Sequence, residues 1–143
     1  MEGLVRCGES VGSEAVVKCC ENLLEKQNDN GGWGEDFSSC YDKDYAKNGM
    51  QMWGDEEGSG VVNTSWAIMA LLRGGRGGEE GVRRGIEFLK MRQLESGDWR
   101  QEGISGVFNR ACGITYTQYR NVFPIWALAR YKAYLEVEND NQN

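Results

Sequence analysis

Val16, Cys19, Cys20, Leu23 and Leu24 fall at i, i+3, i+4, i+7 and i+8, which draws one apolar stripe along an amphipathic helix. Ser13 stands where an N-cap belongs, and Glu14 suits the positive end of the helix dipole. Val82, Ile86 and Leu89 repeat the stripe, with Arg83, Glu87 and Lys90 on the wet face. Two other segments are apolar on nearly every side. Thr64 is placed to cap Ser65-Trp66-Ala67-Ile68-Met69-Ala70-Leu71-Leu72, and Pro124 suits the first turn of Ile125-Trp126-Ala127-Leu128-Ala129. A helix without a polar face is buried on both sides. Sustained period-two alternation is missing, so the expected class is all-α, with no sheet.

These helices belong to a repeat. Gln27-Asn28-Asp29-Asn30-Gly31-Gly32-Trp33 and Gln93-Leu94-Glu95-Ser96-Gly97-Asp98-Trp99 share the form Q-x3-G-x-W at a spacing of 66 residues. Lys18-Cys19-x2-Asn22-Leu23 aligns with Arg84-Gly85-x2-Phe88-Leu89 ahead of them, and Trp66-Ala67 with Trp126-Ala127 behind them at a spacing of 60. Each unit is an amphipathic outer helix, stopped by Gly31-Gly32 or Gly97, followed by a buried inner helix. Such units side by side make a partial α/α-toroid. Gln27, Gly31, Trp33, Gln93, Gly97 and Trp99 read as structural: glycine permits the turn, and the indole and amide clasp the helix ends and tie each outer helix to its neighbour. Residues 14–133 form the repeat region, 1–13 an irregular lead and 134–143 a frayed acidic tail.

Composition removes several chemistries. Sixteen basic against 22 acidic residues leave a formal charge of −6, the wrong sign for a nucleic-acid surface. Histidine is absent, which excludes within this chain an imidazole base, a His–Cys dyad or a His-ligated metal. Cys7, Cys19, Cys20, Cys40 and Cys112 are odd in number and contain no CxxC, so reduced thiols are expected rather than disulfides or a metal site. Gly74-Gly75-Arg76-Gly77-Gly78 follows an apolar helix and lacks the G-K-[ST] ending of a phosphate loop. The longest mostly apolar run, Val61–Leu72, is too short to span a bilayer, which takes about 20 residues.

The complete Arg84–Trp99 pattern resembles the QW repeat of triterpene cyclases. Gly31-Gly32-Trp33-Gly34-Glu35-Asp36-Phe37, Val62-Asn63-Thr64-x-Trp66-Ala67, Gly106-Val107-Phe108-Asn109-Arg110 and Ile114-Thr115-Tyr116-x2-Tyr119-Arg120-Asn121-Val122-Phe123-Pro124-Ile125-Trp126 narrow the likeness to the C-terminal part of oxidosqualene cyclases, over roughly residues 14–131. The resemblance implies an incomplete (α/α)6 barrel and an isomerase chemistry. An aspartic acid protonates 2,3-oxidosqualene, and a cation cascade builds a sterol or triterpenoid skeleton without cofactor or metal. It implies that Phe108 and Tyr116, with Tyr119 one turn later, face the cationic intermediates, because aromatic faces stabilise cations without attacking them. It also implies a monotopic protein of the endoplasmic reticulum membrane or lipid droplets.

The family's acid lies in an Asp-Cys-Thr-Ala-Glu motif that residues 1–143 do not contain, so no catalytic residue is assigned and the chain is expected to be inactive alone. Asp36 and Asp98 have no warrant as proton donors, and Asn109 is expected to shape a turn. Arg100 replaces a common proline, Asn22 replaces the aromatic of the first repeat, and Met1–Gly12 does not carry the family pattern. Two helix pairs leave inner helices such as Ser65–Leu72 uncovered, so an exposed apolar face is expected, which self-associates or requires the remainder of a toroid. The alternative is a noncatalytic α/α-repeat interaction module. Converging rings at Phe108, Tyr116 and Tyr119 would favour the cyclase.

Overall fold

The computed structural model describes residues 1–34, 58–102, 106–108, 112–114 and 116–141. Five helices occupy most of this span: α1 (Glu2–Arg6), α2 (Glu14–Glu25), α3 (Val61–Arg73), α4 (Glu80–Met91) and α5 (Tyr119–Asn141). The fold is the helical α/α-repeat architecture that the sequence predicts, with α2 and α4 as outer helices and α3 and α5 as inner ones. A short antiparallel hairpin corrects the expectation of no sheet: β1 (Gly106–Phe108) pairs with β2 (Cys112–Ile114) in the register Gly106 to Ile114, Val107 to Gly113 and Phe108 to Cys112. Three residues per strand are too few to show in a periodicity.

Helix α3 is the hub, and α1, α2, α4 and α5 all pack on it. Its Val61, Ile68 and Leu71 meet Val16 and Cys20 of α2 and Val82, Ile86 and Leu89 of α4 in one apolar core. The stripes read from the sequence supply these residues, although Cys19 of the α2 stripe is exposed. Ser13 caps α2 as expected, accepting from Val16 N at 3.5 Å.

Three other boundaries differ. Helix α3 begins at Val61 rather than Ser65, and its N-terminus is satisfied by Glu102 Oε2, which accepts from Val61 N at 2.9 Å. Thr64 is therefore inside the helix. It is buried, and its Oγ1 accepts from Trp33 N at 2.9 Å instead of capping. Helix α5 begins at Tyr119, which puts Pro124 inside it, and it continues to Asn141, into the segment expected to fray. The lead expected to be irregular contains α1.

The glycines do not stop the outer helices, which end at Glu25 and Met91. Gly31 and Gly97 lie further on, at φ +87° and +84°, in the left-handed region that only glycine enters freely. They reverse the chain so that each tryptophan folds back beneath its own helix.

Candidate functional site

The two Q-x3-G-x-W loops carry one hydrogen-bond pattern twice. Gln27 Nε2 donates to Gly31 O and Gln93 Nε2 to Gly97 O, each at 2.8 Å. Asn28 N donates to Gly32 O at 2.9 Å, and its counterpart Leu94 N to Asp98 O at 2.8 Å. Trp33 Nε1 reaches back to Leu23 O at 2.6 Å, and Trp99 Nε1 to Leu89 O at 2.9 Å. Both indoles are buried, at 4% and 1% exposure.

Among the described residues, only the first loop also reaches a following outer helix. Gln27 Nε2 donates to Gly81 O at 2.8 Å, and Arg84 Nη2 donates to Asn28 O at 3.3 Å and Asp29 O at 2.5 Å. The Trp33 indole lies so close to α4 that a Cβ on Gly85 would meet its Cζ3 at 2.9 Å. The tail of one motif thus docks on the Arg-Gly head of the next. At the other head, Lys18 and Cys19 are exposed. The second loop is held by Arg120 of α5, whose Nη1 donates to Asp98 Oδ2 at 2.8 Å and also to Trp99 O.

The aromatic residues singled out for cation contact fall on one ladder. Tyr116 stacks on Tyr119 at 4.5 Å between centroids and 26° between planes. Tyr119 meets Phe123 edge-on at 5.0 Å and Trp66 at 5.9 Å, and Trp66 meets Phe123 at 5.3 Å. Phe123 continues the stack to Trp126 at 6.3 Å. Positions 119, 123 and 126 are one helical face, so the ladder follows from helix geometry once α5 starts early. Tyr116 is 46% exposed and Tyr119 half-buried. Phe108 ends β1 opposite Cys112, and its side chain lies outside the described residues, as do Asp36, Cys40 and Asn109. Trp66 of α3 packs between the helices, against Tyr119 and Phe123 of α5. Trp126 is 52% exposed, beside exposed Val122 and Ile125. The uncovered apolar face therefore lies mainly on α5 rather than along Ser65–Leu72.

Carboxylates near the ladder are engaged in structure. Asp98 Oδ1 accepts from Trp99 N at 2.8 Å while Oδ2 takes Arg120. Glu102 joins the α3 N-terminus to Arg92 Nη1 at 2.9 Å, and the Arg92 guanidinium sits 4.9 Å over the Phe88 ring. No grouping of metal-ligating side chains and no helix long and apolar enough to cross a membrane occurs among the described residues. Sequence reasoning missed Glu102 and Glu2 as structural residues, and it gave Thr64 a capping role where the hydroxyl instead holds Trp33 N. Glu102 lies 41 positions from the amide it caps, beyond any local pattern. Arg120, by contrast, sits within the matched Tyr119-Arg120-Asn121 stretch.

Paired outer and inner helices closed by Gln–Trp loops, with a ladder of rings leading into an inner helix, define the class: an α/α-repeat domain of the terpene-cyclase type. The chain belongs to the squalene-hopene cyclase C-terminal domain family, which matches residues 1–133; Met1–Gly12 is thus inside the family region, contrary to the sequence expectation. It is 45% identical to human lanosterol synthase over 116 residues, 81% of this chain and 15% of that protein. Lanosterol synthase of Saccharomyces cerevisiae is 43% identical over 132 residues, 92% of this chain and 17% of that protein. Cycloartenol synthase of Dictyostelium discoideum is 46% identical over 131 residues, 92% and 18% respectively. The chain spans less than a fifth of the length of these relatives.

Proposed function

We propose that this chain supplies one aromatic wall of an oxidosqualene cyclase cavity, as the C-terminal part of an enzyme that converts 2,3-oxidosqualene to a tetracyclic sterol or triterpenoid precursor. The observation that carries the reading is the Tyr116–Tyr119 stack, joined edge-on to Trp66 and Phe123 directly after the hairpin that holds Phe108. Such rings hold a migrating positive charge by about 0.5–2 kcal/mol each when water is excluded, and they offer it no nucleophile. Held rigidly by one another, they stabilise the developing cation without reorganising. Phe108, Tyr116 and Tyr119 are positioning and cation-stabilising groups in this scheme. The proton comes from an acid outside this chain, and no cofactor or metal takes part. The setting is that of a lipid substrate, at the endoplasmic reticulum membrane or a lipid droplet.

The purified chain given 2,3-oxidosqualene should form no cyclic product by gas chromatography and mass spectrometry. Co-expression with a cyclase segment bearing the Asp-Cys-Thr-Ala-Glu motif should restore product, and Tyr116→Ala or Phe108→Ala should then divert it to incompletely cyclised skeletons. Cyclisation by the isolated chain, or an unchanged product spectrum in both variants, would overturn the proposal. The interaction-module reading draws on exposed Val122, Ile125 and Trp126. It gains if co-expression forms a stable complex with no turnover.

A further inference from the structure

A groove of about 640 Å³ runs between α1, α3 and α5, beyond the Trp126 end of the ladder. Trp66, Phe123 and Trp126 form its apolar side, while Arg6, Arg73 and Arg130 line its charged side around the single carboxylate of Glu2. Arg130 Nη1 donates to Glu2 Oε1. Arg6 Nε and Arg73 Nε stand 3.7 and 3.6 Å from Oε2 as ion pairs. Arg73 Nε is buried with no hydrogen-bond acceptor. Three guanidiniums against one carboxylate leave two positive charges uncompensated in this cluster, beside the Trp66, Phe123 and Trp126 rings. That excess appears on a chain whose formal charge is −6, so it is local rather than a reflection of composition.

We propose that this groove binds a long-chain fatty acid, its hydrocarbon along Trp66, Phe123 and Trp126 and its carboxylate on the guanidiniums that Glu2 leaves unneutralised. The volume falls in the range of small-ligand sites, roughly 300–1,000 Å³. Guanidinium forks match a carboxylate better than a point charge does. A free small anion would leave the rings bare, and an uncharged hydrocarbon would leave the cluster uncompensated. Fatty-acid capture here shares Trp66 and Phe123 with the proposed cavity wall, but its recognition comes from Trp126 and the arginine cluster, so oleate binding and oxidosqualene cyclisation can fail separately.

The test is titration of the full chain with oleate below its critical micelle concentration, read by tryptophan fluorescence and calorimetry at low salt, beside oleyl alcohol and acetate. Oleate should bind saturably, and both comparison ligands about tenfold more weakly or worse, because each lacks one half of the recognition. Arg73→Gln with Arg130→Gln should weaken oleate by about tenfold or more and leave oleyl alcohol unchanged. Should that double variant fail to fold, Glu2→Gln decides independently: removing the internal rival should tighten oleate, whereas a purely structural cluster would loosen it. Equal affinity for oleate and oleyl alcohol, acetate binding as tight as oleate, or oleate affinity unchanged or weakened in Glu2→Gln would each overturn the proposal.

Discussion

Gln27 and Gln93 hold the same position in two copies of one loop, yet they have different work. Gln93 makes a local bond to Gly97 O and is exposed, whereas Gln27 adds a contact to Gly81 O of the next outer helix. Gln27→Ala should therefore cost about 1–3 kcal/mol in urea unfolding, and Gln93→Ala a few tenths. The tryptophans should not differ in this way: Trp33→Ala and Trp99→Ala each empty a buried site and should cost about 3–5 kcal/mol. Glu2 sets a pH response. The hydrogen bond from Arg130, partly opposed by burial, holds its carboxyl below the ordinary 4.5. A carboxyl that ionises more readily when folded contributes its full stability above that ordinary value, and the contribution is lost as pH falls through the lower folded one. Thermal unfolding followed from pH 7 downward should show this acid loss, and Glu2→Gln should flatten it.

Among the elements, the outer helices were legible because their stripes are local and the same pattern occurs twice. The inner helix α3 was legible in existence but not in its start. Thr64 offers a cap signal within the segment, whereas the capping oxygen comes from Glu102 across the fold. The same limit hid α5's early start: Pro124 reads as a first-turn residue, but the edge-on packing of Tyr119 and Phe123 against Trp66 of α3, which needs the third dimension, accompanies a helix that starts before it. The ladder was thus half visible, as Tyr116 and Tyr119, and half supplied by packing, as Phe123 and Trp126. Glu102 offers a direct check at this scale. Glu102→Ala leaves the Val61 amide without its acceptor and removes one ion pair from Arg92, at a cost of about 1–2 kcal/mol. Hydrogen exchange should accelerate first at Val61 and Val62 while α4 stays protected.

For the molecule as a whole, burial is lopsided. Helix α3 is enclosed by its neighbours, but α5 turns Val122, Ile125 and Trp126 to solvent. A dye that fluoresces on apolar surfaces should bind the native chain, and sedimentation should show association that rises with concentration. Trp126→Ser should reduce both without lowering helical circular dichroism. The clasps carry a further consequence for how the chain reaches this state. Each indole finds its carbonyl 10 residues away and each amide its carbonyl 4 away, while the bonds that join one unit to the next cross 54 to 56 residues. Short closures form early and distant ones late. During synthesis the first clasp can therefore set as soon as its own residues clear the ribosome, and it waits, already shaped, for α4 to arrive and dock.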